Sequence, residues 1–341
     1  MSAGDPIDTM TTGEPGRARG EAGALQTALA RYRVDERSDG TEFRRKTRLL
    51  ASLWREANGL APGTYYPHRK GRTLQPRVLG SRLDPGLARA GRNFLTPTIL
   101  QQVRKRLAEP ETHQLIKQDR LWGDLLSSQP MCFNLFGELA GDLELATRAA
   151  QAWWPGRVAK VTEIRFEWSP GRRDPRYLGN QTAFDAVVFH TTPTGGLGFI
   201  GIETKYHERP ARPGHRNPER LQRYAEVAER SCVFRPGWRE ALVRSNLQQI
   251  WLDHLLALSM LGNWDAGLFV LVYPAANAAM AGVAGRYATW LLDATTFEHR
   301  TLEELVGRLG KVTKAAWVSG FEDRYLDFEK LRAVGVRPPA G

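Results

Sequence analysis

Cysteine is nearly absent from this chain of 341 residues: only Cys132 and Cys232 occur, neither in a CxxC pair nor in a histidine cluster. That excludes a disulfide-stapled scaffold, argues against a structural zinc site and fits a reducing, cytoplasmic setting. The opening MSAGDPIDTMTTGEPGRARG lacks an apolar core behind a basic start, so it does not read as a secretory signal. Internal repeats and sustained heptads are missing. No GxxxxGK[ST] loop and no GxSxG elbow is present, which removes P-loop phosphate binding and elbow-type acyl transfer. One stretch, 266–285, carries no charge over the length of a membrane span. Its β-branched run Leu268–Tyr273, the break at Pro274 and the Ala/Gly-rich remainder read instead as strand, turn and buried helix, with no membrane partner.

What is present is an ordinary globular composition with a basic surplus, 42% hydrophobic and 25% charged at a net +11. The length allows one large domain or two smaller ones. Residues 1–120 hold 22 Lys+Arg against 13 Asp+Glu, so nearly all the surplus lies there. Arg44-Arg45-Lys46, Arg48, Lys70, Arg72 and Arg104-Lys105-Arg106, interleaved with Tyr65, Tyr66 and Phe94, make the kind of surface that neutralises backbone phosphates. A merely solubilising surface explains the same charges. The pattern divides the chain into a flexible polar tail over 1–40, a basic and mainly helix/loop region over 41–126, and an α/β domain over 127–341.

In that last part, apolar residues from Phe133 to Trp154 recur every three or four positions, predicting one amphipathic helix that ends at Pro155-Gly156. Val161–Trp168 alternates as a strand with one polar face. Phe184–His190 and Phe199–Tyr206 read as a hairpin around the turn 191–198. Glu240–Leu261 predicts a second long helix, and Gly267–Tyr273 an apolar strand buried on both faces. The predicted class is α/β, in the order α-β-β-β-α-β.

Charge ends two of these apolar strands. Asp185 interrupts Phe184–Phe189, and Glu203-Thr204-Lys205 closes the run that starts at Phe199. Ionised groups are costly there unless they are paired or bind metal. Period-two alternation puts Glu203 and Lys205 on one face, and hairpin pairing brings Asp185 to it. Two carboxylates and an ammonium suit metal-assisted phosphodiester hydrolysis. A cross-strand ladder of surface ion pairs is the structural alternative.

Asp185 followed by Glu203-x-Lys205 on a hairpin, in this element order, resembles the PD-(D/E)XK, or restriction-endonuclease-like, nuclease superfamily over about 140 residues. Phe184 stands where the literal motif has proline. The resemblance implies a Mg²⁺-dependent endonuclease acting on nucleic acid, double-stranded DNA first. Mn²⁺ would substitute, Asp185 and Glu203 would ligate the metal, and Lys205 would position the water and phosphate. It also implies a restriction or phage-defence role, is compatible with a homodimer, and leaves as the alternative a non-catalytic nucleic-acid-binding protein that keeps the fold.

Members of the superfamily add an acid from the first helix, for which Glu138 is placed, though an acid favoured by the helix dipole explains it equally. Glu167, on the polar face of the first strand, is a further candidate or a solvent-facing residue. Gln248 and Gln249 fit the position of a glutamine that touches the site from the next helix, or a capping role. Arg172, Arg173, Arg209, Arg212 and Arg216 flank the strands and suit phosphate, since guanidinium donates in pairs. Trp153, Trp154, Trp251 and Trp290 fall at core spacing.

Overall fold

The protein is described here by a computed structural model that covers residues 14–36, 38–66, 68–69, 72–73, 75–210 and 218–339. In chain order the elements are α1 (Glu14–Arg31), α2 (Glu42–Ala57), β1 (Pro62–Tyr65), β2 (His68–Arg69), β3 (Arg72–Thr73), β4 (Arg77–Leu83), α3 (Pro85–Arg89), α4 (Pro97–Ala108) and α5 (Gln118–Gly123). There follow α6 (Ser128–Gly141), α7 (Leu143–Trp153), β5 (Lys160–Trp168), β6 (Phe184–Thr191), β7 (Leu197–Thr204), α8 (Pro218–Ser231), α9 (Trp238–Leu242) and α10 (Gln248–Met260). The chain closes with β8 (Ala266–Tyr273), α11 (Ala278–Ala288), β9 (Phe297–Thr301), α12 (Leu302–Val312), α13 (Ala316–Tyr325) and a 3₁₀ turn over Phe328–Val334.

Five strands form the central sheet in the order β5-β6-β7-β8-β9, with β5, β6 and β7 antiparallel and β8 and β9 parallel to β7. The predicted hairpin is β6–β7, and the predicted buried strand is β8, flanked by β7 and β9. The α-β-β-β-α-β order holds within a larger set of helices. Alternating strand residues feed two cores. Ala186, Val188, Ile200 and Ile202 pack toward α6 and α7, while Val187, Phe189, Phe199 and Phe269 pack toward α8, α10 and α11. Among the described residues no helix is long and apolar enough to cross a membrane, and 266–285 is strand, turn and helix as its composition predicts.

Four expectations change. The long helix over 133–154 is two helices that meet at Asp142, whose carboxylate accepts from the Glu144 and Leu145 amides and starts α7 after Gly141 ends α6. A local cap outweighs the continuous apolar spacing. The helix expected over 240–261 is likewise α9 and α10, parted at 243–247, and α8 precedes it unforeseen. The tail expected over 1–40 is helical over Glu14–Arg31, and Leu25, Leu29, Tyr32 and Val34 are buried against Leu49, Leu50, Phe328 and Leu331.

The core does not part at residue 126. Trp54, Ile99, Val103, Leu121 and Leu125 share one apolar cluster with Phe133, Phe136, Trp153 and Phe321. Arg324, 2% exposed, fastens the two parts. It donates to the Asn93 carbonyl at 2.7 Å and to Asn93 Oδ1, and its guanidinium lies 4.3 Å over the Trp54 ring and 4.7 Å over the Tyr325 ring. Asn134, fully buried on α6, donates to the Asn93 carbonyl and to Tyr325 Oη.

Candidate active site

The sheet brings three acids into line. Ala186 pairs with Ile202, which sets Asp185 opposite Glu203, and the pairs Phe166–Ala186 and Trp168–Phe184 set Glu167 opposite Asp185. Directly opposite residues in antiparallel strands are near neighbours, with Cβ atoms about 4.5–5.5 Å apart. Strand alternation breaks at Asp185, since Phe184 and Val187, three positions apart, both pack on the α10 side. Gly201 permits this, because a Cβ there would lie 2.5 Å from the Phe184 ring. Asp185 turns toward Thr204, the residue between Glu203 and Lys205. Its Oδ2 accepts from the Thr204 amide at 2.8 Å and from the Thr204 hydroxyl at 2.7 Å.

Glu203 is 7% exposed. Its Oε1 accepts from Lys205 Nζ at 2.5 Å and from Gln249 Nε2, on the first turn of α10, at 3.1 Å. Burial, and then the charge of Asp185, holds the Glu203 carboxyl well above the usual range. Burial also raises Asp185, with Lys205 and Thr204 opposing. Lys205 goes the other way from what burial alone would do. Glu203, Asp185 and Glu208 outweigh the desolvation and keep its ammonium protonated beyond the ordinary range. Carboxylates raised in this way are short of positive charge, which a bound cation would supply.

Glu167 belongs to this row. It sits at φ +47°, a left-handed backbone rare for a residue with a side chain. Its carbonyl accepts from Arg106 at 3.1 Å and Arg172 at 2.8 Å, and Gln129 Nε2 donates to its carboxylate at 2.5 Å. Burial and the Asp185 charge push Glu167 up to about 7, against Gln129, Arg172 and Arg106. Asp253, one turn after Gln249 on α10, completes the acidic set. It is 6% exposed and pushed up to about 8 by burial, with Lys205 opposing and Asp185 adding.

The donor set suits a hard divalent cation. Among the described residues no three His, Cys, Asp or Glu side chains converge closely enough to cage an ion. Mg²⁺ asks for less: one or two carboxylates, with water and phosphate oxygens filling the rest. Asp185 and Glu203 meet that requirement.

Other expected residues lie elsewhere. Glu138 falls in the last turn of α6, because that helix begins at Ser128 and not at Phe133. Its carboxylate accepts from the Thr96 hydroxyl, the N-cap of α4. The helix-dipole explanation fails for it too, since a C-terminal turn disfavours an acid. Gln248 Nε2 donates to the Val243 carbonyl at 2.9 Å, closing the turn before α10, and its neighbour Gln249 is the one that reaches Glu203. Arg172 is no free phosphate ligand: its side chain is 2% exposed and ion-paired with Glu111 at 3.0 Å. Arg173 is exposed, as is Arg209. Arg212, Arg216 and Lys70 lie outside the described residues, as does the side chain of Arg72. Sequence reasoning missed Gln129 and Asp253. The signal for Asp253 was there, an acid inside Ile250-Trp-Leu-Asp-His-Leu-Leu, one helical turn after Gln249.

The raised acids predict a pH dependence. The unfolded chain releases the Glu167 and Asp253 protons near 4.5 and 3.8, and the folded protein keeps them to about 7 and 8. The folded state therefore binds more protons in this window, and stability falls as pH rises. Burial lowers His190, His207, His254 and His299, which opposes this until the unfolded imidazoles are themselves neutral, about one unit above their ordinary value near 6.5. In EDTA the melting temperature is therefore expected to drop between about pH 7.5 and 8.5, where Asp253 still loses its proton; a rise measured by circular dichroism would refute the assignment.

Compared with known proteins, residues 35–327 match the sequence model of a family described as PD-(D/E)XK nuclease superfamily. Neither the curated proteins nor the solved structures contain a significant match. The matched span takes in α2 through α13, both cores and the Asp185–Glu203–Lys205 row, so the chain belongs to the PD-(D/E)XK nuclease superfamily.

Proposed function

We propose that the protein is a Mg²⁺-dependent nuclease that hydrolyses phosphodiester bonds in DNA. The observation that carries this reading is the cluster of Asp185 on β6, Glu203 opposite it on β7 and Lys205 just past the end of β7, ion-paired with Glu203. Asp185 and Glu203 would hold the metal, which when bound neutralises charge on the phosphate and acidifies a ligated water. Lys205 is firmly protonated, so it takes up no proton. It donates to the phosphate or to the incoming water and offsets charge that grows in the transition state. Gln249 orients Glu203 through its amide. The experiment is incubation of the pure protein with plasmid and linear DNA. Cleavage with Mg²⁺ or Mn²⁺ and none in EDTA is expected; a chain that binds DNA but never cuts it is the other outcome.

The grip on DNA is narrower than composition implies. Lys46 pairs with Glu42 at 2.5 Å and donates to the Pro338 carbonyl, Arg48 is clamped by Asp39 and Ser81, and Arg55 donates to the Gly80 and Leu60 carbonyls. These cations serve the fold. Arg45 and Arg209 remain available, and Arg44, though ion-paired with Asp39 at 3.3 Å, keeps its Nε uncommitted. Arg209 packs against Gly40, where a Cβ would lie 2.2 Å from its Nη2, and the Nε atoms of Arg44 and Arg45 are buried without a partner among the described residues. Burial and then the neighbouring Arg209 and Arg48 lower Arg44, which only the Asp39 and Glu208 charges resist. Guanidiniums crowded like this accept a phosphate readily. Replacing Arg44, Arg45 and Arg209 by alanine is expected to weaken DNA binding. The slope of log K against log salt should become shallower by about 0.9 for each phosphate no longer neutralised, with Mn²⁺ binding unchanged. An unaltered slope in fluorescence-anisotropy titrations would remove these residues from the interface.

A further inference from the structure

We propose that Asp253 is a positioning residue, the acceptor to which Lys205 and Gln249 transfer when Glu203 ligates a divalent cation; the proposal rests on the nuclease reading above. Asp253 is 6% exposed, and its Oδ2 is sealed from solvent with no hydrogen-bond partner among the described residues. A buried carboxyl oxygen left without a partner is costly whether or not it carries the proton, and natural sequences seldom keep one. Its surroundings supply a reason. It lines a cavity of about 10 Å³ with Lys205, Asn246, Gln249 and Leu271. That volume is at the lower limit for one water, too small for any other ligand. Apart from one such water, what Asp253 can serve is a neighbouring side chain.

Two donors stand beside it, and both are committed to one atom. Lys205 Nζ and Gln249 Nε2 converge on Glu203 Oε1 at 2.5 and 3.1 Å, which occupies both lone pairs of that oxygen. Glu203 can offer both oxygens to a cation only if these donors withdraw, and an ammonium left in contact would repel the incoming dication. Gln249 and Asp253 are four residues apart on α10 and so share a face, and Lys205 lies within electrostatic reach of Asp253. Transfer to Asp253 keeps both donors satisfied, frees Glu203, and leaves the ammonium beside the site instead of on a ligand. The spare acceptor is thus the second partner of a hydrogen-bond exchange.

The test uses the full chain with Asp253→Asn and Asp253→Leu. Isothermal titration with Mn²⁺ is expected to show affinity weakened about 10- to 100-fold, as for other residues that orient metal ligands. On DNA, kcat should fall with KM unchanged, and the melting temperature should not drop, since Oδ2 has no hydrogen bond to lose. In a Lys205→Ala, Gln249→Ala background, Asp253→Asn should no longer alter Mn²⁺ affinity. Wild-type Mn²⁺ affinity and kcat in both single variants would overturn the proposal. So would a lower melting temperature at unchanged Mn²⁺ affinity, which would make Asp253 a packing residue. If the wild-type chain itself neither binds Mn²⁺ nor cuts DNA, the nuclease reading fails, and that is seen before any variant is made.

Discussion

Replacing Glu203 by glutamine, or Asp185 by asparagine, is expected to abolish Mg²⁺-dependent cleavage of DNA while leaving the fold in place. Each substitution removes one of the two carboxylates that would hold the metal. Metal assistance provides several kcal/mol of transition-state stabilisation, and at about 1.36 kcal/mol per decade this is a loss of roughly a thousand-fold or more. Lys205→Ala is expected to cost about 10²- to 10³-fold in kcat, the range for one preorganised charge-stabilising donor. The fold should survive because these carboxyls are held above their usual range by burial. Removing their charge relieves desolvation, so Glu203→Gln should melt no lower than wild type. The measurement is single-turnover cleavage beside a thermal melt. Retained cleavage in Glu203→Gln would sink the catalytic assignment, and a fall in melting temperature would make the row a structural ion-pair ladder.

The second large effect concerns the boundary that composition suggests. A chain of residues 127–341 alone is expected not to fold. Without the first part it loses Trp54, Ile99, Val103, Leu121 and Leu125 from the core that holds Phe133 and Phe136. At about 1.5–3 kcal/mol per buried side chain, those five forfeit roughly 7.5–15 kcal/mol, as much as the whole net stability of about 5–15 kcal/mol of a typical protein. Arg324 would be left buried without the Asn93 acceptors or the Trp54 face. Loss of near-ultraviolet circular dichroism with aggregation is the expected result. A cooperative melt from 127–341 would restore the two-part division.

Much of this architecture is legible in the sequence, and the reason differs by element. β5 to β8 stand out because alternation and unbroken apolar runs are what a half-buried and a fully buried strand require. Asp185, Glu203 and Lys205 stand out because charge in such runs is expensive. The division at Asp142 does not, since a single capping carboxylate decides it. Gln249 and Gln248 are adjacent in sequence, and only the phase of α10 shows which one meets Glu203. The basic surplus misleads for a related reason: Lys46, Arg48 and Arg55 look like surface cations, yet many of their acceptors are backbone and acid groups brought near only by folding. Arg172 is the same case on the other side of the site.

The two ends of the fold are tied together, and this bears on how the chain is made. Lys46 on α2 bonds the carbonyl of Pro338, 292 residues away, and Leu49 and Leu50 share a core with Phe328 and Leu331. Pairings at such separation close slowly, since the loop entropy must be met before they contribute. On the ribosome, α1 and β4 can cover part of α2 early, but the part that packs on Phe328 and Leu331 must wait for nearly all of the remaining chain. A helix from the start of the fold thus stays partly open until the end, and a chain halted before residue 328 would present the open part to chaperones and proteases.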